Sequence, residues 1–177
     1  PAFNSGQGTM VLGTAEGGLV ITLYMVNDLT DKMLTDYATV NDYYFHTMHH
    51  EFTHILNQKI PYDENFQHIS EGNYVSGDWY QKRTSAANKK GFVTPYAMSE
   101  PLEDFAEMLS VYVTTSPSGW QKIMDTAGTT GAPFIQAKLD MVRAYMKNSW
   151  KLDIDELRSI VLRRASEINH LDLNQLK

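Results

Sequence analysis

The residues best suited to chemistry stand close together at positions 49–54, which read HHEFTH. His50 and His54 are four residues apart, so on a helix they lie one turn apart on the same face. Two imidazole nitrogens in that arrangement can bind one metal ion, and the neighbouring Glu51 can act as general base toward a water at that metal. Chance supplies this His-Glu-x-x-His spacing only about 0.01 times in a chain of this composition, so the spacing strongly indicates a metal site.

The alternative interpretation of these histidines is structural, because histidines on a helix often only pack or form hydrogen bonds. His46 precedes His50 by four residues and forms a second pair along the same face. A threonine, Thr47, follows His46 where the motif requires glutamate, so this second pair does not repeat the motif. The metal-binding interpretation therefore rests on His50 and His54.

A catalytic zinc site needs a third protein ligand and one open position. The extended motif with a third histidine requires glycine and histidine where this chain has Asn57 and Ile60, so that class is excluded. A carboxylate on a rigid element is favoured over one in a loop, and Glu103 and Glu107 share one face of a predicted helix, although a solvated acidic helix face would show the same pattern. The remaining candidates for the third ligand are His68, Glu71, Asp78, Glu100, Glu103 and Glu107.

Two helices must hold these groups in place. Apolar residues that recur at steps of three and four predict a helix over residues 40–58, which ends before Pro61. A second helix is predicted after Ser99, which can serve as its N-cap, with Pro101 in its first turn and an apolar face that continues to Val113.

Strand-forming residues precede the helices. Residues 19–24 are a β-branched run of strand length, whereas residues 59–98 show no sustained period and predict a long irregular stretch, of the kind that is usually functional. After a glycine-containing loop at 128–131, a helix is predicted from about 133 to 149, and a last amphipathic helix follows Asp153. Strands first and helices afterwards predict an α+β fold.

The composition restricts both the architecture and the partners. A chain of 177 residues with 42% hydrophobic residues can form one packed domain over 1–177. Fifteen basic residues against 21 acidic ones give a net charge of −6 without a basic cluster, so we expect no nucleic-acid partner. The absence of cysteine excludes disulfides, thiolate zinc sites and cysteine nucleophiles. No apolar run approaches the length of about 20 residues that a transmembrane helix needs.

Residues 95–107, which read PYAMSEPLEDFAE, resemble the third-ligand helix of glutamate-type zincins, with a local likeness to the catalytic domain of anthrax lethal factor. The resemblance implies that Glu103 is a metal ligand and that Tyr96, seven residues earlier, belongs to the active site. A phenol near the metal can donate a hydrogen bond to the oxyanion that forms when a carbonyl is attacked. The alternative for Tyr96 is packing alone, since the chain has ten tyrosines.

Residues 50–56, which read HEFTHIL, and the Gly-Phe-Val at 91–93 are similar to the zinc metallohydrolase lipoproteins of Bacteroidetes, which are associated with nutrient import. This resemblance spans roughly residues 19–115 and implies a zincin-like metalloprotease domain outside the cytoplasm, as an outer-membrane lipoprotein or in the periplasm, in a nutrient-uptake complex. The lipid-bearing cysteine of such lipoproteins is not in the chain, which begins at Pro1 without an initiator methionine. We therefore expect a fragment of a longer precursor, whose missing N-terminus would carry any lipid anchor.

Together these patterns predict an α+β zincin-like domain that hydrolyses peptide bonds of a peptide or protein substrate with a zinc-activated water. In this interpretation His50 and His54 hold Zn²⁺ and Glu51 activates the water. The resemblance adds Glu103 as the third ligand and Tyr96 as the group that stabilises the oxyanion. Two histidines and a carboxylate with an open position favour zinc over other divalent metals. The alternative is a non-catalytic module of the same fold that binds a peptide or glycan for an outer-membrane nutrient-uptake complex. An intact Glu51 argues against it, because binding alone needs no general base.

The first test concerns metal content. The purified protein should contain about one zinc per chain, and replacing both histidines, His50→Ala with His54→Ala, should abolish zinc binding because two of the three ligands are lost. Elemental analysis measures this directly. Substitution of His46 or His49 should have a much smaller effect, and unchanged zinc in the double variant would show that the metal assignment is wrong.

Overall fold

The computed structural model describes residues 3–167, and its β-structure lies at the start of the chain. Four short strands form two separate antiparallel hairpins, in which β1 pairs with β2 and β3 with β4. The second hairpin turns at Gly17 and Gly18, whose positive φ values of 60° and 64° favour glycine. The predicted strand over 19–24 is present as the shorter β4. The strands are β1 (Phe3–Asn4), β2 (Thr9–Met10), β3 (Gly13–Glu16) and β4 (Val20–Leu23).

Helices make up most of the remaining chain, so the α+β class is confirmed. The helix predicted over 40–58 is one helical path, in which α2 continues through a π-turn at Asn41–Phe45 into α3. The α-helices are α1 (Asp31–Leu34), α2 (Tyr37–Val40), α3 (His46–Lys59), α4 (Asn65–His68), α5 (Thr84–Lys89), α6 (Pro101–Thr114), α7 (Pro117–Trp150) and α8 (Ile154–Glu167).

The start of α6 differs from the prediction that Ser99 is its N-cap. Ser99 has helical backbone angles and its hydroxyl donates to the carbonyl of Tyr96 at 2.7 Å, which closes a 3-10 turn at Tyr96–Met98. Glu100 is the N-cap, with an extended backbone at φ −164° and ψ 163°. The physical reason is Pro101, whose ring disfavours helical angles in the residue before it.

The long helix α7 begins earlier than predicted. Ser116 caps it by accepting a hydrogen bond from the backbone N–H of Gly119 at 3.1 Å, so the helix starts at Pro117 and not near residue 133. The predicted loop at 128–131 is reduced to a kink at Gly128, where φ is 62° and ψ is −162°. Gly128 thus divides α7 into two helices that meet at a kink, and the second of them begins just after Gly128.

The core is built around α6, which packs against α3, α7 and α8. The irregular stretch over 59–98 contains α4, α5 and two 3-10 turns, and it wraps around α6 through aromatic contacts. Tyr62 stacks on Phe105 with ring centroids 4.2 Å apart, and Phe66 meets the same ring edge-on at 4.9 Å. The packing of α3 against α6 brings the two predicted metal-bearing helices face to face.

None of the helices between residues 3 and 167 combines the length and the apolar character that a membrane crossing requires.

Candidate metal centre

Two helices bring three candidate ligand atoms together at the interface of α3 and α6. His50 Nε2 lies 2.9 Å from Glu103 Oε2, His54 Nε2 lies 3.3 Å from the same oxygen, and the two imidazole nitrogens are 3.0 Å apart. All three side chains are largely buried, with exposed fractions of 8%, 11% and 15%. The structure therefore brings together the three residues that the sequence predicted as ligands.

The donor set fits a zinc ion. Ligand atoms about 2.1 Å from a tetrahedral zinc lie about 3.4 Å from one another, close to the three separations in the structure. The contacts of Glu103 Oε2 with the imidazoles lack hydrogen-bond geometry, so this buried oxygen has no hydrogen-bond donor among the described residues. A buried carboxylate oxygen without a donor is costly unless a cation satisfies it.

The tautomer of His50 strengthens this conclusion. His50 Nδ1 lies 2.8 Å from Oε1 of Glu107, a fully buried carboxylate that can only accept, so Nδ1 carries the proton. The Nε2 atom of a neutral His50 then presents a lone pair to Glu103 Oε2, which is also an acceptor. The two acceptors need a positive charge between them, either a proton or a metal ion.

The pKa shifts of His50 and Glu103 also indicate that a positive charge between these two groups is favourable. Burial opposes a charge on His50, but contacts with Glu103 and Glu107 outweigh burial and raise the pKa of this imidazole above its usual range. Burial would also raise the pKa of Glu103, yet the two adjacent histidines hold it below its usual range. Without a metal the site therefore takes up a proton, and a metal ion must displace that proton in order to bind.

Glu107 holds the imidazole of His50, a candidate ligand, from behind. Its Oε1 atom accepts hydrogen bonds from His46 Nε2 and His50 Nδ1, each at 2.8 Å, and its Oε2 atom accepts from Thr94 Oγ1 at 2.6 Å. Although burial disfavours its charge, the adjacent His46 and His50 hold the pKa of Glu107 well below its usual range. A carboxylate bound to the outer nitrogen of a metal-ligating histidine fixes the tautomer and the orientation of the ring.

Glu51 lies beside the ligands and borders a cleft of about 1000 Å³. Burial raises the pKa of its carboxyl group, whereas the neighbouring His50 and His54 oppose that rise. The backbone of Gly13 in β3 passes close to it, since a Cβ at Gly13 would lie 2.6 Å from Glu51 Cγ and 2.9 Å from Oε1. The second hairpin thus packs directly on the predicted general base, and only glycine allows that approach.

Tyr96 faces the same cleft from the 3-10 turn that precedes α6. Its ring centroid lies 5.7 Å from that of His50, and Trp79 packs against its other side at 4.8 Å with an interplanar angle of 68°. Burial and then the charge of Glu103 raise the pKa of the Tyr96 phenol. The phenol is therefore protonated at neutral pH and able to donate a hydrogen bond.

The cleft has two unlike walls. The metal side contributes Glu51 and Tyr96, and the opposite wall is made by the first hairpin and the chain that follows it. Of the residues at the candidate metal centre, His50 and Glu51 line the cleft, so a ligand in the cleft meets the centre from their side. The lining residues are Phe3, Asn4, Ser5, Gln7, Thr9, Met10, Val11, Leu12, Gly13, Asp42, Tyr43, His46, Thr47, His50, Glu51, Trp79, Tyr96 and Glu107.

The other candidates for the third ligand lie elsewhere. His68 and Glu71 contact each other at 3.1 Å on the surface, where their side chains are 57% and 75% exposed. Asp78 and Glu100 are exposed as well. Within residues 3–167, none of these four groups forms a cluster with His50 and His54 that could hold a metal ion.

Comparison with known proteins identifies the family. The model of a family described as "Putative zinc-binding metallo-peptidase" matches residues 1–155. The chain belongs to this family. Zinc, the cofactor predicted from the sequence, is confirmed by the family description and agrees with the histidine and glutamate groups that could hold a metal. Among the curated proteins no match to the chain was found.

A solved structure from Bacteroides caccae, described in the same words as the family, has a similar fold. It is 48% identical to the chain and superposes with a TM-score of 0.81. The match covers 95% of this chain and 63% of the Bacteroides caccae protein, so the chain spans less than two thirds of that protein's length.

Three contributors to the site were not predicted from the sequence. Thr94 lies between the motifs at 91–93 and 95–107, whereas Gly13 lies far from any motif, and nothing in their sequence surroundings points to Glu107 or to Glu51. His46 was visible as an i, i+4 neighbour of His50, but its partner on α6 could only be found once the helices were packed. The sequence signal for all three is weak because each acts through a contact between separate elements.

The geometry ranks three glutamates by their effect on metal affinity. Glu103→Ala removes a ligand and should lower zinc affinity most, while Glu107→Ala removes the hydrogen bond that orients His50 and should cost about 10–100-fold. Glu100→Ala, on the exposed residue at the N-cap of the same helix, is the matched control and should change little. Chelator competition measures all three affinities. A larger loss for Glu107→Ala than for Glu103→Ala would show that the metal ligand is Glu107, one turn further along α6.

Proposed function

We propose that this protein is a zinc metallopeptidase that hydrolyses peptide bonds in a peptide or protein substrate. The observation that carries the proposal is the buried Oε2 of Glu103, which lies between the two imidazoles of a His-Glu-x-x-His motif and has no hydrogen-bond donor among the described residues. Membership of the zinc-binding metallopeptidase family supports it.

His50, His54 and Glu103 would hold the zinc, and Glu107 would keep His50 in the required tautomer. When bound, zinc polarises a water and a substrate carbonyl and so makes the water a better nucleophile at neutral pH. The cleft borders His50 and leaves room on that side for a substrate next to the ligands.

Glu51 would be the general base, because its carboxylate is at the cleft and is not needed as a ligand. It accepts a proton from the attacking water and can pass that proton to the leaving amine. Partial burial raises the pKa of Glu51, which makes the carboxylate a stronger base. The close approach of Gly13 restricts where this carboxylate can lie.

Tyr96 would stabilise the oxyanion. A tetrahedral intermediate carries negative charge on the former carbonyl oxygen, and a donor placed in advance near that oxygen lowers the barrier. Burial and Glu103 raise the pKa of Tyr96, so its O–H persists over the neutral and alkaline range. Packing against Trp79 holds the ring in place.

A non-catalytic module that binds a peptide or glycan is the rival function. It would require the cleft but not the arrangement of Glu51, Tyr96 and a zinc site, so the presence of all three favours the enzyme. From the resemblance to lipoproteins associated with import, we further propose a location outside the cytoplasm, at the outer membrane or in the periplasm, and a role in a nutrient-uptake complex.

Glu51→Gln separates the enzyme from the binding module. The substitution keeps the size of the side chain but removes its basic carboxylate, so zinc content should be unchanged while hydrolysis falls by about 10²–10⁴-fold. The measurement joins elemental analysis to cleavage profiling on a diverse peptide library, with peptide and glycan binding measured in parallel. If neither wild type nor variant cleaves any peptide and both bind the same peptide or glycan equally well, the binding module is correct.

Tyr96→Phe tests the oxyanion donor. The variant should keep zinc and KM because the ring still packs on Trp79, while kcat falls by about 10²–10³-fold through loss of the hydrogen bond. Steady-state kinetics on a peptide found in the library separate these parameters. A rise in KM at unchanged kcat would instead place Tyr96 in substrate binding.

A further inference from the structure

Lys138 is a fully buried lysine whose charge has no part in the proposed reaction. Its ammonium Nζ on α7 lies 2.6 Å from Oδ2 of Asp104, and neither side chain has exposed area. The same Nζ donates to the backbone carbonyl of Gly91 at 2.8 Å and lies 3.9 Å from the centroid of the Phe92 ring. Three separate elements of the chain therefore meet at one ammonium group.

The first of these elements carries a proposed metal ligand. Asp104 follows Glu103 directly in the first turn of α6, so a shift of one residue moves the other. Tyr74 donates a second hydrogen bond to the same Asp104 oxygen at 2.9 Å. Lys138 and Tyr74 thus restrain, from behind, the helical turn that presents Glu103 to the two histidines.

The second element carries the proposed oxyanion donor. Gly91 begins the segment that leads to Tyr96, and its positive φ of 87° together with the close approach of Phe134 requires glycine there. Asn88 extends the contact by donating from Nδ2 to the carbonyls of Phe92 at 2.9 Å and Val93 at 3.1 Å. Lys138 therefore binds the start of this segment at a backbone atom, independently of its side chains.

Thr94 attaches the same segment to α6 a second time. Its hydroxyl donates to Glu107 at 2.6 Å and accepts from the backbone N–H of Ala97 at 3.1 Å. The segment that leads to Tyr96 is consequently held at two points, at Gly91 by Lys138 and at Thr94 by Glu107 of α6.

We propose that Lys138 is a positioning residue, which holds the segment that carries Tyr96 in register with the helical turn that carries Glu103. A buried ion pair gives little net stability compared with apolar residues of the same volume. Its short, directional contacts do restrict the relative position of the groups that it joins, and the two elements joined here carry Glu103 and Tyr96. A displacement of about 1 Å in such groups can cost about 100-fold in rate.

The role of Tyr96 in this inference rests on the proposed function, but the effect on the metal ligand does not. The test compares Lys138→Met with Lys147→Met, which removes an exposed lysine from the same helix. Both proteins are loaded with Co²⁺ or Zn²⁺, and their d–d absorption spectra and zinc affinities are measured. Lys138→Met should change the cobalt spectrum and lower zinc affinity by about tenfold, whereas Lys147→Met should match wild type.

Turnover gives the second readout. Lys138→Met should lower kcat by about tenfold or more with little change in KM, and adding Tyr96→Phe should cost less than it does in wild type, because the donor is already misplaced. A wild type that cleaves nothing would overturn the proposed function only, since the cobalt spectrum and zinc affinity still decide the effect on Glu103.

The inference would be wrong if Lys138→Met lowered only the melting temperature and left the cobalt spectrum and zinc affinity as in wild type. If that variant does not fold, Tyr74→Phe decides, because it removes one hydrogen bond from Asp104 and leaves the ion pair intact. Tyr74→Phe should change the spectrum and affinity in the same direction by a smaller amount. Wild-type values in that variant would assign the network to stability alone.

Discussion

The structure depends on neutralising three acidic side chains that α6 carries into the protein interior. Glu103, Asp104 and Glu107 lie within the first two turns of this helix, and burial of an unpaired carboxylate is one of the most costly events in folding. Glu103 and Glu107 are compensated by α3, and Asp104 is compensated by α7. Glu103 meets the histidines of α3, Asp104 meets Lys138 of α7, and Glu107 meets His46 and His50. The packing of α3, α6 and α7 therefore places basic side chains of α3 and α7 against the buried acids of α6.

This arrangement separates structural from chemical roles on a single helix. Asp104 Oδ2 contacts the ammonium of Lys138 and accepts a hydrogen bond from the phenol of Tyr74, so Asp104 has a structural role. Glu107 is saturated by three donors and can only orient its partners. Glu103 and Asp104 each keep one buried oxygen without a hydrogen-bond partner among the described residues. The ammonium of Lys138 already neutralises Asp104, so the oxygen of Glu103 that lies between the two imidazoles is the place where a cation is needed. The difference between neighbouring acids thus comes from their partners and not from their residue type.

The two walls of the cleft also differ in their structural origin. Its metal side is built from helices that are fixed by buried charges, and its opposite wall comes from the short strands at the start of the chain. Gly13 joins the two, because the absence of a side chain there lets β3 lie on Glu51. The proposed chemical groups therefore lie on one wall of the cleft, and the first hairpin lies on the other.

The local signals in the sequence were sufficient for the metal-bearing helices. An i, i+4 histidine pair depends only on helical periodicity, so the local sequence predicts α3 with its candidate ligands, and it also predicts the acidic face of α6. The predicted helix boundaries were wrong where a single residue changed the backbone conformation that its neighbours favour. Pro101 moved the N-cap from Ser99 to Glu100, and the sequence from Gly128 to Gly131 looked like a loop although only Gly128 leaves the helix.

The sequence by itself therefore determined the donor types, their spacing and the elements that carry them, because these follow from backbone periodicity. Only the tertiary structure decided which acid of α6 faces the two histidines with an oxygen that lacks a hydrogen-bond donor, and which elements hold that acid in place. Thr94 reaches Glu107 across 13 residues, and Lys138 reaches Gly91 across 47. Such contacts depend on the crossing of packed helices, and no local pattern in the chain encodes that geometry.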